Sequence, residues 1–173
     1  DYFGYTTSAY SHDPSPYYPS ASLESSSHNY VHTTIYDGQG EGICHVLSEQ
    51  RAYTDDLGRP TQQQSKDYLT DKVWATETLY DVQGRVALAT LAAPTGKNYI
   101  EYREHFVQDQ GGSDYGVGNF DLSAKLNNPD PIGPQVNSLG WWYSSYNTEE
   151  PWQAVTDYPY TRTEYSSLTG AAR

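Results

Sequence analysis

The sequence predicts an all-β protein built from irregular antiparallel β-hairpins that are joined by long extended loops. Three observations predict this class. A D-x-x-G-R pentapeptide occurs twice, at 55–59 and 81–85, and the residues flanking the copies are mostly β-branched, aromatic or aliphatic. The composition also suits strands and turns, with 18 Tyr, 14 Gly and 10 Pro in 173 residues.

The repeated pentapeptide has the chemistry of a hairpin turn. Asp55 and Asp81 suit the first position of a type I turn, where the carboxylate accepts hydrogen bonds from backbone N–H groups two residues on. Gly58 and Gly84 supply the positive φ that lets the second strand leave the turn. A degenerate third copy lacks the arginine, and the predicted turn positions are Asp37, Gly40, Asp55, Gly58, Arg59, Asp81, Gly84 and Arg85.

The copies begin 18 and 26 residues apart, at Asp37, Asp55 and Asp81, so they form an irregular repeat of a supersecondary unit. We expect the two arginines to reach acidic or carbonyl groups on the neighbouring hairpin, which a planar guanidinium does better than lysine. The residue types on either side of the turns predict strands at 31–36, 43–53, 73–80, 85–92 and 99–107.

Four segments follow from the composition along the chain. They are an extended Tyr/Ser/Pro-rich arm (1–29), the β-hairpin repeats (30–107), a Gly/Asn/Pro-rich loop (108–140) and aromatic-rich strands that continue the sheet (141–173). Prolines in the arm disfavour a regular sheet, so we expect few internal backbone hydrogen bonds there. We expect the arm to be ordered by packing its tyrosines, Tyr10, Tyr17 and Tyr18 among them, against a surface.

These motifs resemble a known family. The Y-D-x-x-G-R element at 80–85 resembles the YD repeat of the Rhs proteins, and G-W-W-Y-S (140–144) and Y-P-Y-x-R-T-E-Y-S (158–166) resemble segments of Rhs proteins from the Bacteroidota. The resemblance covers about residues 30–173 and points to the N-terminal region or the opening of the repeat array. It implies a structural, non-enzymatic segment of a β-shell that encloses a C-terminal toxin or cargo domain.

The same resemblance implies a secreted or cell-surface protein exported by the type 9 secretion system. Its partners would be the remainder of its own chain, the enclosed cargo and outer-membrane components of that system. A net charge of −12 disfavours binding to nucleic acid or to an anionic membrane, and no apolar run is long enough to span a bilayer. Because the sequence starts at Asp1 and contains no Met, we expect it to be a fragment of a much larger chain.

Residue types that could carry chemistry do not form a convincing site, and neither a cofactor nor a metal site is predicted. Cys44 and His45 are adjacent, so they point to opposite faces of a strand and should not share one ion. Calcium at Asp55-Asp56 or at Asp37 and Glu41 is the more plausible metal site for an acidic secreted protein, although turn formation explains those aspartates better. Ser11-His12-Asp13 has the residue types of a triad but not its spatial arrangement, and Glu149-Glu150 alone does not define a glycosidase pair.

The tryptophans are the candidate contact residues. Trp141, Trp142 and Trp152 could present flat rings to another chain or to a glycan, and in a strand one of the two consecutive rings must face outwards. An extracellular adhesin or glycan-binding β-domain is therefore the alternative to the shell segment. A self-contained domain closes its sheet edges, whereas a shell segment leaves strands to pair with further chain.

Overall fold

The computed structural model describes residues 5–9, 28–36, 46–166 and 170. The protein is β-rich and mostly antiparallel, with two single-turn helices in the described ranges, so the all-β prediction is confirmed. The chain forms two compact units, of which the first comprises Asp1–Trp74 with Lys97–Tyr102 and the second comprises Ala75–Gly96 with Arg103–Arg173. These units differ from the four predicted segments because contacts, rather than composition, define them.

The first unit is a sheet of strands in sequence order. It contains β1 (Tyr5–Ala9), β2 (Asn29–Tyr36), β3 (Val46–Thr54), β4 (Pro60–Asp67) and the first residues of β5 (Lys72–Tyr80). The β2–β3 and β3–β4 pairs are antiparallel, with Val31 opposite Ala52 and Ala52 opposite Gln63. In contrast, β1 runs parallel to β2, with Thr7 opposite Thr33.

Strand β1 corrects the prediction for the N-terminal arm. Residues 5–9 of the predicted arm (1–29) belong to the sheet, so the expectation that the arm stays out of regular structure is wrong for these five residues. They precede the three prolines of the arm, and a strand needs only a proline-free run of this length. The prolines and the tyrosines chosen for the docking prediction, Tyr10, Tyr17 and Tyr18, lie outside the described residues.

Strand β4 was missed because its inward-facing side chains are polar. Gln62 and Gln64 are almost completely buried, whereas Gln63 between them is exposed. The Gln64 amide donates to the carbonyl oxygen of Glu101 (2.7 Å), and its oxygen accepts from the backbone N–H of Glu101 (3.2 Å). A glutamine whose amide oxygen and nitrogen are both hydrogen-bonded can be buried at little cost. Solvent exposure therefore alternates along β4, although the residue types are polar on both faces.

The adjacent strands carry a buried charged group on the same face. Arg51 is 3% exposed and lies directly opposite His32, with Nη2 of Arg51 3.3 Å from Nδ1 of His32. Because a guanidinium can only donate, Nδ1 accepts, and Nε2 then carries the proton that faces Oε1 of Glu49 at 3.1 Å. The hydrogen bond with His32 lowers the pKa of Glu49, although burial opposes this shift.

The second unit combines a small sheet with folded loops. It contains the rest of β5, β6 (Val86–Thr90), β7 (Ala93–Pro94), α1 (Val117–Phe120), α2 (Leu139–Trp142) and β8 (Tyr160–Arg162). Strand β6 is antiparallel both to β5 and to β8, with Ala89 opposite Thr78 and Thr161. The buried apolar side chains of the second unit include Leu88, Phe106, Phe120, Ile132, Leu139 and Trp142.

The predicted strand at 99–107 is wrong. This segment contains turns and bends, and His105 has a φ of 57°, which a strand residue does not adopt. Its buried apolar residues are Ile100, Phe106 and Val107, and this spacing does not follow the two-residue period of a strand. Apolar and β-branched content alone was therefore misleading, because the side chains are buried by a folded loop.

Among residues 141–166, the prediction of strands is wrong except for β8, and residues 167–169 and 171–173 lie outside the described ranges. Leu139–Trp142 forms the single helical turn α2, and Oγ of Ser138 at its start accepts from the N–H of Trp141 (3.3 Å). The loop predicted at 108–140 is also folded, because it includes α1 and a backbone bridge between Asp109 and Ile132. None of the helices in the described ranges is long and apolar enough to cross a membrane.

Candidate functional site

The first D-x-x-G-R turn connects β3 to β4 and is closed by its own aspartate. Oδ1 of Asp55 accepts from the backbone N–H groups of Leu57 (3.0 Å) and Arg59 (2.9 Å). Oδ2 of Asp55 accepts from Nε and Nη2 of Arg59, both at 2.7 Å. One carboxylate thus binds four donors within a single five-residue turn.

The second turn connects β5 to β6 and repeats the same hydrogen bonds. Oδ1 of Asp81 accepts from the N–H groups of Gln83 (2.9 Å) and Arg85 (2.8 Å), and Oδ2 accepts from Nε and Nη2 of Arg85 at 2.7 Å. The backbone bonds match as well: Asp81 N–H to the carbonyl oxygen of Arg85, and Gly84 N–H to that of Asp81, are both 2.9 Å. The repeat is therefore one of geometry as well as of letters.

Each of the two arginines binds the aspartate of its own turn. We expected Arg59 and Arg85 to reach the neighbouring hairpin, but each guanidinium holds the carboxylate four residues before it. The tight turn brings the arginine side chain back over the aspartate, so the nearest acceptor is local. The remaining predicted turn positions, Asp37 and Gly40, lie outside the described residues.

The two aspartates differ in exposure. The side chain of Asp55 is 24% exposed, whereas that of Asp81 is 4% exposed. The backbone N–H of Arg59 is the main cause that lowers the pKa of Asp55. Burial acts to raise the pKa of Asp81, but the bonds from Arg85 and Gln83 outweigh it and the pKa is lowered. Both turns therefore contribute stability that is lost as the pH falls below about 4.

A third turn of the same kind was missed by sequence reasoning. Oδ1 of Asp109 accepts from the N–H groups of Gly111 (2.8 Å) and Ser113 (3.0 Å), and Gly112 has a φ of 83°. Its D-Q-G-G-S sequence keeps the aspartate and the glycine but has serine in place of arginine. The D-x-x-G spacing is the sequence signal for this turn, but the glycine content of the segment predicts a loop.

Glycine is required in these turns for its backbone conformation. Gly58 and Gly84 both have a φ of 76°, and a Cβ added to Gly58 would meet no atom within 4 Å. We expect Gly58→Ala to lower the free energy of unfolding by about 1 kcal/mol, because alanine is strained at positive φ. Urea unfolding followed by circular dichroism measures this. Gly58→Asn, which tolerates the conformation better, is the control and should lose less.

A cleft of about 180 Å³ lies beside the second turn. The guanidinium carbon of Arg85 lies 4.1 Å from the centre of the Tyr165 ring, and the Tyr165 hydroxyl donates to the carbonyl oxygen of Val86 (3.0 Å). On another wall, Arg162 donates to the carbonyl oxygens of Phe120 (2.8 Å) and Leu126 (2.7 Å). Both arginines hold segments of the second unit together, so the contacts that line the cleft are structural ones.

The predicted contact aromatics do not form one surface. Trp142 is 3% exposed and belongs to the core, so it is not available as a contact residue. Trp141 beside it is half-buried, and Trp152 is 93% exposed. Because α2 replaces the predicted strand, the orientation of the two consecutive rings follows from helical packing rather than from alternation.

Glu77 is a half-buried acid in the second unit, with one carboxylate oxygen shielded from solvent. This oxygen, Oε2, has no hydrogen-bond partner within the described structure, while the backbone N–H of Glu77 donates to Oγ1 of Thr90 (2.7 Å). Burial, and to a lesser extent the negative charges of Asp114 and Glu104, raises the pKa of Glu77 to about 8. The folded state therefore keeps a proton that the unfolded chain loses above about pH 4.5.

This shift predicts the effect of pH on Glu77→Gln. The stability of the wild type should fall as the pH rises from about 4.5 to 8. Over this range the folded state binds a proton at Glu77 that the unfolded chain has already released, so folding becomes less favourable as protons become scarcer. The glutamine variant should lack this fall and be more stable at pH 8.5, on the order of a few kcal/mol, while matching the wild type near pH 4.5. Urea titrations at both pH values test this, and equal differences at the two would contradict it.

Within the described ranges, no group of three or more His, Cys, Asp or Glu side chains is arranged to hold a metal ion. Cys44 and His45 lack described side chains, as do Ser11, His12 and Asp13. Comparison with protein-family models, with curated proteins and with solved structures finds no match to this chain. The carboxylate-closed turns are therefore the feature from which a function is proposed.

Proposed function

We propose that this chain is a structural, non-enzymatic segment of a large Rhs-type YD-repeat protein. The observation that carries the proposal is the pair of D-x-x-G-R turns, which close two hairpins with the same set of hydrogen bonds to Asp55 and Asp81. A side chain that binds four donors of its own turn holds the turn shape with few constraints on the flanking strands. Such a unit can be repeated along a sheet whose strand lengths vary.

The proposed role is to supply the opening strands of a β-shell that encloses a C-terminal toxin or cargo domain. The protein would be secreted or held at the bacterial cell surface after export by the type 9 secretion system. The remainder of the chain, the enclosed domain and outer-membrane secretion components would be its partners. The third carboxylate-closed turn, at Asp109, supports this proposal because it extends the same construction beyond the two copies evident in the sequence.

The gene product provides the test. Mass spectrometry of the protein from its source should give peptides that map to one open reading frame of more than about a thousand residues, far above the size of a single domain. Further Y-D-x-x-G-R segments should follow residue 173, and limited proteolysis should leave a C-terminal domain protected. A reading frame that ends near Arg173, or one without further copies of the turn, would refute the proposal.

A further inference from the structure

The most exposed tryptophan of the second unit lies at the tip of a tight turn. Trp152 is 93% exposed, and the N–H of Gln153 donates to the carbonyl oxygen of Glu150 (2.9 Å) to close the turn around it. Tyr146 and Val155 on the same loop are 65% and 64% exposed. Single exposed apolar residues are common, but three large ones within ten residues, one of them a tryptophan, are typical of an interaction surface.

The loop that carries Trp152, residues 144–158, is held in place at its base. Asn147 is buried, its amide donates to the carbonyl oxygen of Trp142 (2.8 Å), and its oxygen accepts from the N–H groups of Glu149 (3.0 Å) and Glu150 (3.1 Å). A second anchor is the hydrogen bond from Thr156 N–H to the carbonyl oxygen of Tyr143 (2.9 Å). The exposed ring is therefore presented on ordered backbone, which reduces the entropy lost on binding.

The charge of this loop defines the chemistry of its partner. Residues 144–158 contain Glu149, Glu150 and Asp157, all exposed, and no Lys or Arg. We propose that the Trp152 loop is a docking surface for a basic peptide segment of another protein. An arginine or lysine of that segment would stack on the indole of Trp152 while neighbouring cations pair with the carboxylates.

Other occupants fit the loop less well. A second copy of this chain brings a net charge of −12 against an acidic loop, so self-association would be opposed by like-charge repulsion. A neutral glycan could stack on the ring and donate hydrogen bonds to the carboxylates, but it has no positive charge to neutralise them and would leave Val155 in water. This inference goes beyond the proposed structural role and does not depend on it, because it requires only the second unit.

A binding experiment on the whole chain tests the proposal. The probe is a fluorescein-labelled nonapeptide of alternating arginine and serine, and its fluorescence anisotropy is measured against the wild type, Trp152→Ala, Glu150→Lys and Leu69→Ala. Leu69 is 97% exposed and lies in the first unit, so its variant controls for the loss of an exposed apolar side chain. A peptide with glutamate in place of arginine and a cellulose hexasaccharide are the comparison ligands.

We expect the arginine peptide to bind the wild type and the Leu69→Ala variant equally, and Trp152→Ala to bind at least about tenfold more weakly. Glu150→Lys should weaken binding by a similar factor, and added salt should weaken the wild-type interaction. Equal binding of the arginine and glutamate peptides, or unchanged binding by both loop variants, would overturn the proposal. Binding of the hexasaccharide that Trp152→Ala abolishes, without binding of the arginine peptide, would replace it with a glycan site.

Discussion

Gly133→Ala is expected to destabilise the second unit by about 3 kcal/mol or more, because a methyl group has no room at this position. A Cβ on Gly133 would lie 1.9 Å from the carbonyl oxygen of Asp109, which is backbone and cannot swing away. The N–H of Gly133 also donates to the carbonyl oxygen of Gln108 (2.8 Å), so moving this segment outwards would break a hydrogen bond. Overpacking of this kind is among the larger effects of a single substitution.

The backbone at Gly140 packs just as closely against the backbone at Gly133. A Cβ on Gly140 would lie 2.1 Å from the carbonyl oxygen of Gly133, so Gly133 and Gly140 together allow two backbone segments to pack in turn against the backbone at Asp109. Gly118→Ala is the matched control, since a Cβ there meets nothing within 4 Å and alanine is the better residue in the single turn of α1. Its stability should be unchanged or slightly increased.

Urea unfolding followed by tryptophan fluorescence measures both glycine variants. Trp141, Trp142 and Trp152 all lie in the second unit, so the signal reports mainly on the segment that the substitutions affect. If Gly133→Ala unfolds at the same urea concentration as the wild type, the backbone segments are not packed as closely as described. If Gly118→Ala lowers the free energy of unfolding as much as Gly133→Ala, the loss does not come from the close backbone contact at Gly133.

Asp81→Asn is expected to cost about 2–3 kcal/mol of unfolding free energy. The amide oxygen of asparagine can still accept from the N–H groups of Gln83 and Arg85, but its NH2 group faces Nε and Nη2 of Arg85, where Oδ2 accepted at 2.7 Å. The amide NH2 of the asparagine and the N–H groups of Arg85 would then face each other without an acceptor, at a position where the wild-type Asp81 side chain is only 4% exposed. A group that is left unsatisfied away from water costs more than the bond itself contributes.

Asp55→Asn makes the same change in the more exposed copy of the turn. Water can reach the Asp55 side chain, which is 24% exposed, so we expect a smaller loss than at Asp81. Hydrogen exchange of the amides of residues 57 and 59, and of residues 83 and 85, reports on each turn separately. Equal losses in the two turns would show that burial does not decide the contribution of the carboxylate.

The turns were accessible to sequence reasoning because their chemistry lies within five residues. An aspartate that accepts from the next N–H groups and a glycine that adopts positive φ need no distant partner, so Asp55–Arg59 and Asp81–Arg85 could be placed from their letters. The same local logic would have identified Asp109–Ser113. The Gly111-Gly112 pair hides this turn, because paired glycines are also typical of loops.

The burial of individual side chains could not be predicted from local sequence. Gln62, Gln64 and Arg51 are polar residues that the sequence assigns to solvent, yet each is at most 3% exposed. Their burial depends on partners that are distant in sequence, such as the backbone of Glu101 for Gln64. Conversely, the aromatic residues at 99–107 and 141–173 predicted strands, but Phe106 is buried by a folded loop and Trp142 by the helical turn α2.

The sequence by itself determined the all-β class, the positions of two hairpin turns and the acidic charge, because each depends on local residue types or on their sum. The tertiary structure decided which face of each strand is buried, that residues 5–9 join the sheet, and that Trp142 is core while Trp152 is exposed. It also decided that Asp81, and not Asp55, is the buried copy of the turn. Those outcomes depend on which segments meet in space, and the shared D-x-x-G-R pattern carries no information about the residues that surround each turn.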